Sequence, residues 1–319
     1  MKRLLEIDLI KIIAMLCVLG LHSACYHLDT LIGNIIYKTS VIAIPLFFMV
    51  SGYLVLPKNN IDYKYVFRKC FGIIRYVLLF TIALWILLGA DFDSFFINTF
   101  GSFVQYGRMS IFWYFGAMLI LYLLTPFFNR LLHYHHKTYN CILIGLLFLC
   151  NLIYILNYFN IHIEQNVIQT FRIWNWMFYF CIGGYINFNK VKPRISPWFI
   201  ALLLVLNAFF QYVNIPLIKS SYCEYFYSSL IVQVLSVCVF LFMLKLLQKP
   251  YEYITILSGL FLPVYTFHMF VIVKLNHIFC NLNLYGFEAL LHWLSAIILS
   301  ILLSLFILKI PLSSKLFKI

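Results

Sequence analysis

Residues 9–26 read LIKIIAMLCVLGLHSACY, an apolar stretch that carries one cation, Lys11, and one imidazole, His22. Ionisable side chains are costly inside a membrane span, so they seldom face lipid, and one that faces a bundle interior marks a candidate functional site. Eleven residues make about three helical turns, so the two side chains share nearly one helix face, roughly 16 Å apart along the axis. The stretch therefore predicts a first transmembrane helix. Its two ionisable residues suggest a ligand that is anionic at one end and reactive at the other.

The composition indicates that the rest of the chain is membrane-embedded too. Of its 319 residues 64% are hydrophobic and 10% are charged, and the mean hydropathy is +0.95. A soluble domain would have about a quarter of its residues charged. We predict an all-α, polytopic membrane helix bundle that forms a single domain over residues 1–319. Its ten spans, each long enough to cross a hydrocarbon core of about 30 Å, lie near 9–28, 36–56, 71–90, 111–131, 139–158, 172–188, 197–213, 226–247, 256–277 and 287–309.

The distribution of basic residues predicts the orientation. With both termini in the cytoplasm, eighteen of the 23 Lys and Arg residues fall on the inner side. The five on the outer side are Lys38, Arg108, Arg172, Lys219 and Lys274. This asymmetry is the positive-inside pattern of membrane proteins. Topology and contacts with anionic membrane lipid account for most of the net charge of +13, so it does not indicate a nucleic-acid partner.

Cysteine and histidine spacings give no sign of a metal site. The nine cysteines are scattered, mostly within spans, and form no C-x-x-C pair, as expected of small packing residues. His133, His135 and His136 stand beside Lys137 in a predicted inner loop, but this loop lacks the Cys or carboxylate partners that zinc needs. We therefore expect no bound metal.

The first span offers two candidate groups, each with a plainer alternative. Asp8 and Lys11 are neighbours on one helix face, and they form either an interfacial ion pair, with Lys11 snorkelling to the headgroups, or part of a ligand site. His22 either makes a structural hydrogen bond between helices or acts as a general base, since an unperturbed imidazole titrates near neutral pH.

Further motifs follow along the chain. Pro45 and Ser51-Gly52 indicate a broken or closely packed second helix, and Arg68, Lys69 and Arg75 suit either phosphate or topology alone. Trp113-Tyr114, followed by Tyr122 and Pro126, favours an aromatic belt at the interface or a substrate contact. His268 is a second histidine inside a predicted span.

In this order the pieces resemble the acyltransferase-3 family of bacterial integral-membrane acyltransferases. The matching segments are Asp8-Leu9-Ile10-Lys11 with His22, Phe47-Phe48-Met49-Val50-Ser51-Gly52-Tyr53, Arg68-Lys69 with Arg75, Trp113-Tyr114 with Tyr122-Leu123-Leu124-Thr125-Pro126, and Tyr265-Thr266-Phe267-His268. One departure is Lys11, where the family has Arg; the charge is kept but the bidentate fork is lost.

The resemblance implies an enzyme of the bacterial cytoplasmic (inner) membrane. It would move an acyl group, most commonly acetyl from cytoplasmic acetyl-CoA, to a hydroxyl of a surface polysaccharide or its lipid-linked precursor. The acyl-CoA is the donor, the glycan is the acceptor, and no tightly bound cofactor is expected. In this scheme Lys11, Arg68, Lys69 and Arg75 hold the CoA phosphates; His22, Asp8, Ser51 and His268 are catalytic; and Tyr53, Trp113, Tyr114 and Tyr122 bind substrate.

Within that set, His22 is the proposed base. The side chain that donates a hydrogen bond to the developing oxyanion is left open among Ser51, Tyr114 and His268.

A transporter or exporter of polysaccharide or lipid-linked sugar is the alternative. Intramembrane ionisable groups and broken helices also mark substrate paths in transporters. No inverted repeat is visible in the sequence, which counts against a transporter. A purely structural scaffold would leave the phosphate-suited residues after the second span without a role.

Overall fold

We describe a computed structural model of the chain, which covers residues 4–88, 92–246, 252–279 and 287–309 together with Leu282 and Leu284. These residues contain α-helices and short 3₁₀ turns and no strand, so the predicted all-α class is confirmed. Lys2, Arg3, Lys249, Lys315 and Lys318, which entered the charge count, lie outside the described residues, as does Cys280. The helices are α1 Leu5–Ala24, α2 Leu31–Thr39, α3 Ala43–Val55, α4 Tyr63–Leu88, α5 Phe92–Phe100, α6 Trp113–Tyr134, α7 His136–Leu156, α8 Ile163–Asn166, α9 Ile173–Phe188, α10 Pro197–Ile218, α11 Leu230–Leu246, α12 Glu252–Gly259, α13 Phe261–Phe279 and α14 Phe287–Leu308.

A helix stands at each of the ten predicted spans. Eight helical segments among the described residues are long and apolar enough to cross a membrane. The two others are α9, with 16 residues, and α11, with 17. At 1.5 Å per residue each is about 25 Å long, somewhat less than a hydrocarbon core of about 30 Å. The polytopic helical bundle is confirmed.

The described residues divide into two compact units. Unit 1 contains residues 4–50 and 191–309, and unit 2 contains residues 51–190. The single domain over residues 1–319 stays a prediction, because a division by contacts does not show whether either unit folds independently.

In unit 1, α1 is the central helix. It packs against α2, α11, α12, α13 and α14, and the Trp293 indole donates a hydrogen bond to the Leu16 carbonyl at 3.0 Å. A 3₁₀ turn over Ser40–Ile42 separates α2 from α3. Pro45 lies in the first turn of α3, where its missing N–H removes no intrahelical bond. The predicted break in this span is therefore the 3₁₀ turn just before Pro45.

In unit 2, α6 is central and packs against α4, α7 and α9. A Cβ atom placed on Gly52 would overlap the carbonyl oxygen of Phe180, so only glycine allows this approach of α3 to α9. The Tyr139 hydroxyl donates to the Cys181 carbonyl at 2.7 Å and joins α7 to α9. The close backbone approach predicted at Ser51-Gly52 is confirmed. It allows α3 to pack against α9 at Phe180.

The start of α4 lies earlier than the sequence predicted. The Asp62 carboxylate accepts the Tyr65 backbone N–H at 2.8 Å, which caps the helix and lets it begin at Tyr63. The helix has 26 residues, about 39 Å, so its first turns extend beyond a hydrocarbon core. Arg68, Lys69 and Arg75 therefore lie on a helix, and the loop predicted up to residue 70 ends at Asp62.

Candidate active site

His22 and His268 are brought together inside unit 1. His22 lies near the end of α1, and His268 lies in the middle of α13. Their ring centroids are 5.0 Å apart, with the planes tilted by 47°. The His268 side chain is completely buried, with 0% of its surface exposed. The sequence named both residues separately, and the structure makes them one pair.

The hydrogen bond of His268 determines which of its nitrogens is basic. His268 Nδ1 lies 2.7 Å from the Tyr265 carbonyl oxygen. Because a carbonyl oxygen only accepts, Nδ1 carries the proton in the neutral ring, and Nε2 keeps a free lone pair. Nε2 is buried and has no hydrogen-bond partner among the described residues. A neutral His268 is thus a proton acceptor, and it donates toward an oxyanion only after Nε2 is protonated.

Asp8 and Lys11 form a second group at the other end of α1. The Lys11 ammonium lies 3.7 Å from Asp8 Oδ1, and the Ser258 hydroxyl of α12 donates to the same oxygen at 2.6 Å. Asp8 is only 3% exposed, whereas the Lys11 side chain is 28% exposed. Asp8 therefore anchors α12 to α1 and leaves Lys11 accessible to a ligand.

Helix α1 is continuous from Leu5 to Ala24, so its rise gives the separation of the two groups. Lys11 and His22 are about 16 Å apart along the axis, as the sequence predicted, and Asp8 is about 21 Å from His22. Asp8 cannot contact the imidazole at that distance. Its contribution to any reaction at His22 must pass through Lys11 and through the placement of α12.

The remaining catalytic candidate, Ser51, lies in unit 2 with the four aromatic candidates. The Ser51 and Tyr114 hydroxyls are 3.4 Å apart, a long hydrogen bond. The Trp113 ring is 5.2 Å from the Trp176 ring. The Tyr53 carbonyl accepts a hydrogen bond from Asn187 at 2.7 Å. The structure thus joins Ser51 to Tyr114 and places Trp113, Tyr53 and Tyr122 separately in the helices around them.

Tyr122 lies one turn before Pro126 on α6. Proline has no N–H to donate to the carbonyl four residues earlier, so the Tyr122 carbonyl loses its helical partner.

The cationic residues of α4 form an exposed stripe on unit 2. Arg68 and Arg75 are seven residues apart, about two turns, and both are exposed, as is Lys64, so their side chains share one face. Near the start of α4 there is a pocket of 560 Å³, a size typical of small-molecule sites. Its lining residues are Asn60, Ile61, Asp62, Tyr63, Pro126, Phe127, Asn129, Arg130 and Tyr134.

A second histidine pair in unit 1 was not predicted. His27 Nε2 and His292 Nδ1 are 3.1 Å apart, and His292 Nε2 lies 3.2 Å from the Ile272 carbonyl oxygen. The carbonyl accepts, so His292 Nε2 carries the proton and Nδ1 accepts from His27. Both rings are buried. The sequence signal was available, because His292 is an ionisable residue inside the predicted span 287–309.

The two histidine pairs are close along the chain but do not form a metal site. Ile272, whose carbonyl contacts His292, is one helical turn after His268 on α13, so the second pair contacts α13 one turn beyond the first. Among the described residues no group of three or more His, Cys, Asp or Glu side chains could hold a metal ion.

Comparison with known proteins places the chain in a family. No curated protein and no solved structure matches it. A family model described as an acyltransferase domain matches residues 4–309, nearly the whole chain and both units. The match covers each segment on which the sequence resemblance rested, from Asp8 to His268. The chain therefore belongs to the acyltransferase-3 family, and it is a multi-pass membrane acyltransferase.

Proposed function

We propose that the protein is an O-acyltransferase of the bacterial inner membrane. It takes an acyl group, acetyl by family default, from cytoplasmic acyl-CoA and places it on a hydroxyl of a surface polysaccharide or its lipid-linked precursor. The observation that carries the proposal is the pair of His22 and the fully buried His268 in a chain of an acyltransferase family. The free lone pair on His268 Nε2, in a ring next to His22, is what a proton-transfer site requires.

His22 acts as the general base. It accepts the proton of the acceptor hydroxyl as the oxygen attacks the thioester carbonyl carbon, and the C–S bond then breaks. The imidazolium returns the proton to the departing thiolate, so the products are an O-acyl ester and free CoA. His268 is a titratable neighbour with its ring centroid 5.0 Å away, and its Nε2 can accept a hydrogen bond from the protonated His22 ring and stabilise that charge.

Lys11 of unit 1 and Arg68, Lys69 and Arg75 of unit 2 remain the proposed phosphate-binding residues, as the family resemblance implies. Charge alone favours anions at both places, and the guanidinium groups of Arg68 and Arg75 bind phosphate oxygens bidentately. In unit 1, Lys11 is held by Asp8 and remains partly exposed. The 16 Å between Lys11 and His22 leaves room for an extended, apolar arm between the phosphates and the thioester.

Ser51 and Tyr114 of unit 2 remain the proposed hydrogen-bond donors for the oxyanion, as the family resemblance implies. Ser51 and Tyr114 carry hydroxyls within reach of each other, and a neutral His268 is excluded as a donor by its tautomer. Tyr53, Trp113 and Tyr122 are the aromatic residues proposed to contact substrate.

A transfer assay in nanodiscs tests the proposal and separates it from the transporter alternative. The purified protein, given radiolabelled acetyl-CoA and a crude preparation of surface glycan from the source bacterium, should label the glycan and release stoichiometric CoA. Labelling needs no sealed compartment, whereas transport does. If glycan crosses sealed proteoliposomes without any acyl transfer in either preparation, the protein is an exporter and the enzymatic proposal fails.

A further inference from the structure

A separate pocket in unit 1 has features of a ligand site. It has a volume of 390 Å³, which lies within the range of small-molecule sites. Its polar lining consists of Asp29, Thr30, Asn34, Lys38 and Tyr212. A Cβ on Gly33 of α2 would overlap the carbonyl oxygen of His27, which lies three residues after the end of α1. The pocket thus lies at the His22 end of α1, away from Lys11.

Lys38 is an unusual lining residue because it is buried without a counter-charge. Only 4% of its surface is exposed, and among the described residues no carboxylate forms an ion pair with it. Its ammonium lies over the Tyr212 ring, 4.9 Å from the centroid, a cation–π contact. A buried cation without an ionic partner is costly. A bound anion would remove that cost.

The backbone around Lys38 is fixed by a buried polar network. Asn207 and Gln211 of α10 donate to the Lys38 carbonyl at 3.0 and 3.2 Å. The Cys223 thiol donates to Gln211 Oε1 at 3.1 Å, and burial raises the pKa of this thiol well above its ordinary value, so it remains protonated. Lys38 is therefore held in place before any ligand arrives, which lowers the entropic cost of binding.

The part of the lining at the start of α2 is also ordered. Thr30 caps α2 by accepting the Gly33 N–H at 3.1 Å, and Asn34 donates to the Leu28 carbonyl at 2.7 Å. These bonds hold the exposed Asp29 at the entrance. The pocket thus presents a carboxylate at its rim, a cation in its interior, and the Tyr212 ring, which is 66% exposed, along one side.

We propose that this pocket binds the acceptor through a sugar unit that carries an anionic group, a carboxylate or a phosphate. Lys38 pairs with the anion, Tyr212 stacks on the sugar ring, and Asp29 accepts hydrogen bonds from hydroxyl groups. The inference rests on the proposed function, because it assigns the acceptor of that reaction. It adds a substrate class, an acidic glycan, and predicts that a neutral sugar binds less tightly.

Direct binding without acyl donor tests the inference. The full-length protein in phosphatidylcholine nanodiscs is titrated with methyl glucuronide, methyl glucoside 6-phosphate and neutral methyl glucoside, and binding is read by ligand-observed NMR. The wild type should prefer both acidic sugars. Lys38→Gln should weaken them roughly 10- to 100-fold, the loss of one contact to a charged group, and leave the neutral sugar unchanged. Lys38→Arg should keep the preference.

Controls separate a binding role from a structural one. Lys219→Gln removes an exposed cation at the end of α10 and should have no effect. Should Lys38→Gln fail to fold, Tyr212→Leu changes an exposed ring and should weaken all three sugars. The proposal is overturned if the wild type shows no preference for acidic sugars. It is also overturned if Lys219→Gln weakens the binding of acidic sugars as much as Lys38→Gln does. Displacement of the sugars by phosphatidylglycerol added to the nanodiscs would identify a lipid headgroup site and overturn it too.

Because binding is read without acyl-CoA, the result is independent of catalysis. Acidic-sugar binding without acyl transfer would contradict the proposed function and retain the site. Acyl transfer without Lys38-dependent sugar binding would support the proposed function and contradict the acceptor site.

Discussion

Replacing His22 by alanine should abolish acyl transfer while leaving the fold and donor binding intact. Loss of a positioned general base lowers kcat by about 10²–10⁴-fold, which corresponds to about 3–5 kcal/mol of transition-state stabilisation. His22 and His268 have ring centroids 5.0 Å apart. Groups that act as one unit are non-additive, so the double variant should be no slower than the worse single variant. Independent groups would multiply their effects to about 10⁴–10⁸-fold.

The second position needs a variant that preserves its hydrogen bond. His268→Asn can still donate to the Tyr265 carbonyl through its amide, but it has no basic nitrogen at the position of Nε2. The assay measures CoA release at saturating acyl-CoA, with acyl-CoA binding and melting temperature as controls. His22→Gln should not rescue activity, because an amide does not accept the proton.

Two results would refute the assignment. If His268→Asn eliminates activity and His22→Ala does not, His268 is the base and His22 is a packing residue. If the two losses multiply, the rings do not act as a pair.

Further predictions concern the donor site, the topology and the packing. Replacing Arg68 and Arg75 with glutamine should raise KM for acyl-CoA without changing kcat, and salt should reduce the difference because exposed charges are screened; an unchanged KM would assign these residues to topology alone. Lys11→Arg should keep or slightly improve acyl-CoA affinity, since a guanidinium binds phosphate at least as well as an ammonium; a large loss would mean that the ion pair with Asp8 requires lysine. Gly52→Ala should lower the free energy of unfolding by about 1–3 kcal/mol, measured as an earlier thermal transition in nanodiscs, and a neutral effect would contradict the contact with the Phe180 carbonyl. Reporter fusions should place the loop between α3 and α4 in the cytoplasm; a signal from the opposite side would invert the charge-based topology.

Long-range apolarity made the helices predictable from the sequence. A helix occurs at every predicted span because a membrane segment must satisfy its backbone groups internally. The ends were less predictable, since they depend on local contacts. The start of α4 is set by the Asp62 side chain, which accepts the Tyr65 N–H.

The candidate site was predictable in its residues but not in its pairings. Depth in a span singled out His22 and His268 independently, and their contact depends on how α13 packs against α1, which a single sequence does not encode in any local pattern. Asp8 shows the opposite case. Its spacing from Lys11 predicted the ion pair, but only the fold reveals that Ser258 shares the carboxylate and that His22 is too far away.

Lys38 shows what charge counting misses. The sequence counted it as one of five cations on the outer side, with no individual role. Its burial comes from α10, through Asn207 and Gln211, more than 160 residues away in the chain. A contact of that kind is visible only after folding.

Mass spectrometry of surface glycans most directly tests the central claim that the His22 site acylates a glycan. Cells that lack the gene are complemented with the wild type or with His22→Ala at equal expression. The account predicts that the wild type restores one acyl group on the glycan and that His22→Ala restores none, while the amount of surface glycan stays the same. Equal acylation in both strains, or a loss of surface glycan without any change in its acylation, would contradict it.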